Sequence, residues 1–323
     1  MTARHKRLVP LGALGLVVLV WRIDLTAVQL ALFHVGWGMV LVLSQEIVAH
    51  VLNALGWRFA FTREVAAHFS LGELVRLRVA GDAINYLTPT ATIGGEVART
   101  AMLSDACGAD VRAVSVIIAK TTQTLAQALF ITAGLTLVAT EWLATGPIRS
   151  FLPWAVGGGL LTAILVAHRV KARGSGAAAA WRRAFGPRLG EFLRNHPGRV
   201  ALSTLMFVVA YAWGAFEAYW ICRFLLMPVP AGTAFTIEVL SITVDGILFM
   251  VPAKIGTQEG GKVAVFATLG LSPSLGFAFG VVRHVRELIW AALGVFLYCA
   301  AIGRRNLSFW YRARGSATTP TAP

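Results

Sequence analysis

Charged residues are scarce in this chain of 323 residues, where Asp, Glu, Lys and Arg together make up 14% of the sequence and only 15 residues are acidic. A soluble domain carries about 25% charged residues, so the composition argues against one. Hydrophobic residues instead make up 57% of the chain, and the mean hydropathy is +0.69. These values predict an all-α, polytopic integral membrane protein.

Cysteine is also rare, with only three scattered residues, Cys107, Cys222 and Cys299. They form neither a disulfide framework nor a CxxC pair, and their mostly apolar surroundings are typical of small core residues. The sequence therefore gives no sign of a fold that depends on disulfide bonds.

Motifs for cofactors, metals and catalysis are missing as well. The stretch "GTQEGGKV" (256–263) approaches a P-loop, but Val263 stands where the magnesium-binding hydroxyl is required and no strand precedes it. Glu46 and His50 lie one helical turn apart in "EIVAH", but no HExxH follows and the other histidines are scattered. We therefore expect no cofactor, no metal and no catalytic residue, and we expect that the chain is not an enzyme.

The basic residues that are present give a net charge of +14, and they gather at particular places. They precede the first apolar run, fill the segment 169–199 and follow the last apolar run. This is the distribution of the positive-inside rule, which places the N-terminus, the segment 169–199 and the C-terminus in the cytoplasm. No groove-reading or base-stacking motif accompanies the charge, so we expect no nucleic-acid binding.

Apolar runs long enough to cross a membrane need about 20 residues. Such runs predict about six full spans, near 8–23, 30–57, 113–140, 150–168, 200–226 and 274–302. Two further stretches, 70–105 and 233–270, are apolar but are interrupted by a proline and glycines. We interpret them as broken or re-entrant helical hairpins, the alternative being pairs of short, tilted spans. Irregular backbone at membrane depth is tolerated only inside protein or beside a watery cavity.

These segments form a single transmembrane domain over residues 1–303, with halves at about 30–140 and 198–303. The span 150–168 and the cytoplasmic basic loop 169–199 join the halves. Within that loop, Trp181–Leu193 is predicted either to form an amphipathic helix at the membrane surface or to belong to a flexible connector. Residues 304–323 form a basic and then disordered C-terminal tail.

The two interrupted stretches resemble each other. Asp82, Pro89 and Glu96 recur 163 residues later as Asp245, Pro252 and Glu259. The same offset also relates four further pairs, which are Trp57 with Trp220, Phe61 with Phe224, Arg99 with Lys262, and Lys120 with Arg283. Three predicted crossings separate Trp57 from Trp220, so the second copy is inverted relative to the first. Inverted repeats with broken helices at corresponding places are typical of transporters.

Charged residues lie within both interrupted stretches, where exposure to lipid would cost about 2.5–3.5 kcal/mol for each charge. Glu96 and Arg99, like Glu259 and Lys262, are spaced to pair along a helix. The pairs either neutralise each other or line a polar cavity. Glycines before each short helix, at Gly94, Gly95 and Gly256, leave free backbone N–H groups that favour an anion.

Three of the predicted spans carry polar stripes, which serve either as interhelical hydrogen bonds or as a polar pathway. The residues in them are Glu46, His50 and Asn53 in the first, Lys120 and Gln127 in the second, and Arg283, Arg286 and Glu287 in the third. Because three stripes converge with two charged hairpins, we favour the pathway.

The stretches "LTPTATIGGEVART", "VPAKIGTQEGGKVAVFATLGLSP" and "VVRHVRELIW" resemble the flippase-like family, also described as the lysylphosphatidylglycerol synthase transmembrane region. The resemblance covers about residues 40–303, with the closest likeness to HpnL-type proteins associated with hopanoid biosynthesis. The family's elements fall on Pro89, Gly94, Gly95, Glu96, Pro252, Gly256, Glu259, Arg283, Arg286 and Glu287. The resemblance implies a bacterial inner-membrane protein that moves lipids between leaflets. The fused synthases also carry a soluble transferase domain, which we do not expect from this sequence, so synthase activity is not implied.

The sequence as a whole predicts a lipid translocator that moves a polar or anionic lipid, with the headgroup held between the two hairpins. Glu96 and Glu259 would position cations or carry protons. The cations that would neutralise the headgroup are Arg99, Lys120, Lys262 and Arg283. The expected partners are a membrane lipid and lipid-biosynthesis proteins. Alternatives are a secondary transporter of a small anionic solute, a membrane enzyme acting on lipid headgroups, and a non-catalytic partner of a lipid-synthesis complex.

Overall fold

The structure, a computed structural model, describes residues 29–30, 33–88, 94–103, 107–143, 177–247, 252–254 and 256–315. The elements with defined bounds in these ranges are all helical. They are α1 (Gly38–Phe59), α2 (Arg63–Ala66), α3 (Leu71–Leu87), α4 (Gly94–Met102), α5 (Ala109–Leu143), α6 (Ala177–Asn195), α7 (Pro197–Phe224), α8 (Ala231–Ile247), a 3₁₀ turn (Pro252–Lys254), α9 (Thr257–Thr268) and α10 (Pro273–Gly315).

Four of these helices are long and apolar enough to cross a membrane: α1, α5, α7 and α10. They coincide with the spans predicted near 30–57, 113–140, 200–226 and 274–302, which confirms a multi-pass membrane protein. The spans predicted at 8–23 and 150–168 lie outside the described residues. The basic start of the predicted tail belongs to α10, which continues to Gly315.

Each interrupted stretch contains two helices that pack on each other, α3 with α4 and α8 with α9. In the second stretch the backbone between the helices turns through left-handed conformations, with φ of 50° at Ala253, 51° at Lys254 and 71° at Gly256. Residues other than glycine adopt this region at a cost of order 1–3 kcal/mol. The strained turn redirects the chain, and it places the Lys254 ammonium beside carboxylates of α8 and α10.

Helices α1 and α7 run antiparallel in close contact through glycines. A Cβ atom on Gly38 would lie 2.5 Å from the Phe224 ring, and one on Gly56 would lie 2.8 Å from the Phe207 ring. Midway between these contacts, the Trp213 indole donates hydrogen bonds to Gln45, at 3.1 Å to its carbonyl oxygen and at 2.8 Å to Oε1. Glycine packing and these hydrogen bonds together hold the pair.

The first helix of each interrupted stretch also packs on a long helix from the other half of the chain, α3 on α10 and α8 on α5. A glycine allows each close approach. A Cβ atom on Gly294 would lie 2.5 Å from the Ala83 Cβ, and one on Gly134 would lie 2.5 Å from a Val239 methyl group. The two halves are therefore interleaved.

Of the two alternatives for Trp181–Leu193, a helix or a flexible connector, the structure has the helix, as part of α6. Its Phe192 side chain is buried, and Phe185 and Leu189 pack with it on the hydrophobic core around Trp57 and Phe207. The Arg188 guanidinium lies 2.6 Å from the Asp110 carboxylate of α5. These apolar side chains of α6 thus contact protein.

Candidate polar cavity

A cavity of about 210 Å³ lies between α1, α3, the 3₁₀ turn and α10. Its apolar wall consists of Val79, Ala83, Trp290 and Ala291. Its polar wall consists of Glu46, His50 and Asn53 from α1, Asp82 and Tyr86 from α3, Lys254 from the turn, and Arg286 and Glu287 from α10. Three carboxylates, two permanent cations and a histidine therefore share one small space inside a helical membrane domain.

Lys254 connects the turn of the second stretch to two other helices. Its ammonium lies 3.2 Å from Asp245 Oδ2 on α8 and 2.8 Å from Glu287 Oε1 on α10. Gln258 of α9 donates to the same Glu287 oxygen at 3.4 Å. One face of the cavity is thus a network of ion pairs that joins three helices.

Arg286 extends this network across the bundle. Its Nη1 atom lies 2.6 Å from Glu46 on α1 and 2.7 Å from Glu217 on α7. One turn earlier on α10, Arg283 lies 3.1 Å from Glu217 and 2.5 Å from Glu238 on α8. Buried ions are tolerated when they are paired in this way, and removal of one partner leaves an uncompensated charge.

Asp82 forms the opposite side of the cavity. Its carboxylate accepts hydrogen bonds from Arg78 at 2.9 Å and from Arg99. The His50 ring lies 4.0 Å from Asp82 and packs on Trp290 with ring centroids 4.6 Å apart. Neither nitrogen of His50 has a hydrogen-bond partner among the described residues. His50 therefore has unused hydrogen-bonding capacity at the cavity wall.

Glu96 lies away from the cavity, in the packing between α3, α4 and α5. It lies 3.5 Å from Arg99 and 3.4 Å from Lys120, and it accepts a hydrogen bond of 2.9 Å from Asn85. Asn85 also accepts the N–H of Gly95 at 2.6 Å. The prediction that the Gly95 N–H is free for an anion is therefore wrong. Gly95 is instead required by close packing, since a Cβ there would lie 2.1 Å from the Gly81 carbonyl oxygen.

In the second stretch, the predicted pair of Glu259 with Lys262 does not form. Lys262, which is fully buried, lies 2.9 Å from Asp245 on α8. Glu259 instead bonds His284 of α10. The two side chains of α9 point to different neighbouring helices, so local spacing did not reveal their partners.

The structure brings six of the predicted site residues to the cavity: Glu46, His50, Asn53, Asp82, Arg286 and Glu287. Others are placed off its lining, namely Gly94, Gly95, Glu96, Arg99, Lys120, Gln127, Asp245, Gly256, Glu259, Lys262 and Arg283. Pro252 begins the turn that carries Lys254, and Pro89 lies outside the described residues. The cations predicted to neutralise a headgroup, Arg99, Lys120, Lys262 and Arg283, each already contact protein carboxylates.

Several residues of this network were not predicted from the sequence: Tyr86, Glu217, Glu238, Lys254 and His284. Charges inside apolar runs are expensive and mark functional positions by default. That signal was present for Glu217 in "WGAFEAYW" and for Glu238 in "TIEVLS". Within the described ranges, no group of three or more His, Cys, Asp or Glu side chains is arranged to hold a metal ion.

Comparison with protein-family models matches residues 8–294 to the family described as the lysylphosphatidylglycerol synthase TM region. Comparisons with curated proteins and with solved structures give no match. The match covers most of the chain and includes all four candidate spans up to Gly294, together with all residues that line the charged cavity. The protein therefore belongs to the lysylphosphatidylglycerol synthase TM region family of multi-pass membrane proteins.

Proposed function

We propose that this protein moves the polar headgroup of a membrane lipid across the bilayer, through the cavity between α1, α3, the 3₁₀ turn and α10. The observation that carries the proposal is the charged lining of a 210 Å³ cavity within apolar helices. Charge at this depth is expensive and is kept where it serves a polar solute or headgroup. The volume suits a headgroup, while the acyl chains stay in lipid.

The proposal includes an inverted repeat, and two equivalent ion pairs support it. Asp82 with Arg99 in the first stretch and Asp245 with Lys262 in the second form ion pairs at equivalent positions, 163 residues apart. Each pair joins the first helix of its stretch to the short helix that follows. The repeat noted in the sequence thus corresponds to a repeated contact in space.

Helix packing follows the same symmetry. The equivalent helices α1 and α7 run antiparallel, as inversion requires. The packing of α3 on α10 corresponds to that of α8 on α5, because α5 and α10 are equivalent under the same offset. Two inverted halves that share one site allow access from either side of the membrane in turn. In this arrangement the interrupted stretches are re-entrant hairpins, and both termini lie in the cytoplasm with the segment 169–199.

The lining indicates which headgroup is favoured. Asp82 and Glu46 keep 33% and 20% of their side chains exposed, against 31% for Lys254 and 11% for Arg286. A purely anionic headgroup would meet more negative than positive groups. A headgroup that combines a phosphate with hydroxyl or ammonium donors matches both signs. The name of the family includes lysylphosphatidylglycerol, which is such a lipid. Hopanoid lipids are a narrower candidate, because the sequence resembles HpnL-type proteins.

In this view the protein is a transporter of the bacterial cytoplasmic membrane without catalytic chemistry, and it works beside enzymes of lipid synthesis. A small anionic solute is the second candidate, since 210 Å³ would also hold one. Uptake of inorganic phosphate or glutamate into the same vesicles distinguishes the two.

The test is lipid movement in vesicles that contain the purified protein. Phosphatidylglycerol, phosphatidylethanolamine and lysylphosphatidylglycerol with a fluorescent acyl chain are each followed by quenching from outside. We expect the two amine-bearing lipids to cross faster than in protein-free vesicles. Crossing at the protein-free rate for all three lipids, and for a labelled hopanoid, would exclude the proposal.

A matched pair of variants on α1 tests the cavity itself. Asn53→Trp fills the cavity without removing an interhelical bond seen in the described part of the chain, where the Asn53 amide donates to Ala49 of its own helix. Ile47→Trp places the same indole on a position of α1 that is 51% exposed and does not line the cavity. We expect Asn53→Trp to slow crossing at least about tenfold, equivalent to 1.4 kcal/mol, and Ile47→Trp to leave it unchanged.

A further inference from the structure

The acid shared by the two repeats meets a different counter-charge in each. Glu96 lies 3.5 Å from Arg99 and 3.4 Å from Lys120, side chains that in water titrate only far above neutral pH. Its equivalent, Glu259, is bonded to the Nδ1 atom of His284 instead. Histidine is the side chain that changes its charge between about pH 5 and 8. The second repeat thus holds an exchangeable charge where the first holds a fixed one.

The cations around this pair form ion pairs with carboxylates other than Glu259. From α9, Lys262 lies 2.9 Å from Asp245 of α8, and from the turn, Lys254 lies near Asp245 and Glu287. From α10, Arg283 contacts Glu217 of α7 and Glu238 of α8, and α3 contributes only the phenol of Tyr86. Within the described ranges, no Lys or Arg forms an ion pair with Glu259. The charge of His284 therefore decides the net charge of the pair.

The pair is buried, yet it lies close to the cavity. His284 is 2% exposed, and its Nε2 atom has no hydrogen-bond partner among the described residues. The His284 ring meets the edge of Tyr86, with centroids 6.5 Å apart and planes at 85°, and Tyr86 lines the cavity. His284 is therefore in ring contact with a residue that lines the cavity. An unpaired buried polar atom is costly, which favours a functional role for Nε2.

We propose that Glu259 and His284 form a proton-binding site that exchanges one proton for the lipid headgroup, an inference that rests on the proposed function. Uptake adds a proton from solution to the imidazole, so that an imidazolium faces the carboxylate and the pair is neutral. Release returns this proton to water and leaves a charge of −1 on the pair. A donor-bearing headgroup in the cavity stabilises the −1 state, and protonation weakens its binding by the same factor.

The first test measures how lipid distributes under a pH difference. Vesicles that contain the full-length protein and acyl-labelled phosphatidylethanolamine or lysylphosphatidylglycerol receive a difference of about one pH unit across the membrane. For one proton exchanged per lipid and a membrane potential held at zero, the label should accumulate about tenfold in the leaflet that faces the more acidic solution. If the lipid equilibrates between leaflets but stays evenly distributed, the inference is overturned and the proposed function stands.

A designed variant converts the second repeat to the chemistry of the first. His284→Lys gives Glu259 a fixed cation, as Lys120 does for Glu96. We expect it to equilibrate lipid at equal pH and to lose the tenfold accumulation. His68→Lys makes the same change at an exposed histidine between α2 and α3, and it should keep the accumulation. Accumulation that persists in His284→Lys would contradict the inference.

A second measurement does not depend on lipid movement or on the folding of one variant. Infrared difference spectra of the purified protein between about pH 8 and pH 5.5 should contain imidazole and carboxylate bands from the pair. The imidazole bands of the pair should be absent from His284→Lys, and its carboxylate bands should be absent from Glu259→Gln. Identical spectra for the wild type and both variants would show that the pair takes up no proton, even if no lipid moves. Absence of lipid movement with the bands present counts against the proposed function alone.

Discussion

Lys262 is fully buried, and its ammonium depends on Asp245, 2.9 Å away on α8. Asp245→Asn would leave that ammonium without its counter-charge, whereas Lys254 would keep Glu287 as a partner. Breaking a buried pair in this way costs about 3–5 kcal/mol. We expect a clearly lower midpoint of thermal unfolding for Asp245→Asn in detergent, measured by circular dichroism.

The matched control is Asp110→Asn, which removes a carboxylate from an exposed pair. Asp110 lies 2.6 Å from Arg188, but both side chains are about half exposed to solvent. Such pairs contribute less than about 1 kcal/mol. An Asp245→Asn midpoint that matches the Asp110→Asn midpoint would mean that Lys262 does not need its carboxylate.

Sequence reasoning located many of these charged residues but not their partners. Asp82 and Asp245 could be identified from the sequence because they belong to a pattern that recurs after 163 residues. The ion pair of Lys262 with Asp245, in place of the predicted pair with Glu259, could not be predicted. It depends on which helix lies beside each face of α9. Lys254 reaches the cavity through a left-handed turn, which its sequence "PAK" does not indicate.

At the scale of helices, the contact of α3 with α10 depends on Gly294. A Cβ atom at that position would lie 2.5 Å from both the Ala83 Cβ and the Val79 carbonyl oxygen. Gly294→Ala should therefore push α10 away from α3 and cost about 1–3 kcal/mol through overpacking. The same thermal unfolding measurement should show a lower midpoint, together with slower lipid crossing, because Val79 and Ala83 form the cavity wall.

Gly190→Ala is the matched control within α6. No atom lies within 4 Å of a Cβ built on Gly190, so the change adds no clash there. Alanine favours a helix interior over glycine by up to about 1 kcal/mol. The midpoint of thermal unfolding should stay the same or rise. If it fell as far as in Gly294→Ala, the loss of stability would come from replacing a helical glycine in general and not from the contact of α3 with α10.

The helices themselves were more predictable than their contacts. Runs of about 20 apolar residues identify spans directly, and α1, α5, α7 and α10 follow them closely. The proline and glycines of the two interrupted stretches predicted where helices would break. The close approach of neighbouring helices at Gly38, Gly134 and Gly294 could not be predicted, since the local sequence does not indicate which helix a glycine will face.

For the molecule as a whole, the central proposal is that one half is inverted relative to the other. Arg63 follows α1, and Leu226, which is 78% exposed, follows α7 at the equivalent position 163 residues later. Because α1 and α7 run antiparallel, these positions lie at opposite ends of the helix pair. Inversion would therefore place Arg63 and Leu226 on opposite sides of the membrane, and the positive-inside rule predicts that Arg63 is the one in the cytoplasm.

Arg63→Cys and Leu226→Cys test this arrangement in a background in which the three native cysteines are replaced by alanine. In intact cells, a membrane-impermeant maleimide should label Leu226→Cys and should label Arg63→Cys only after the membrane is opened. Labelling of both positions from outside, or of neither, would place them on one side. The halves would then be parallel copies, and a pathway with two-sided access could not follow from their symmetry.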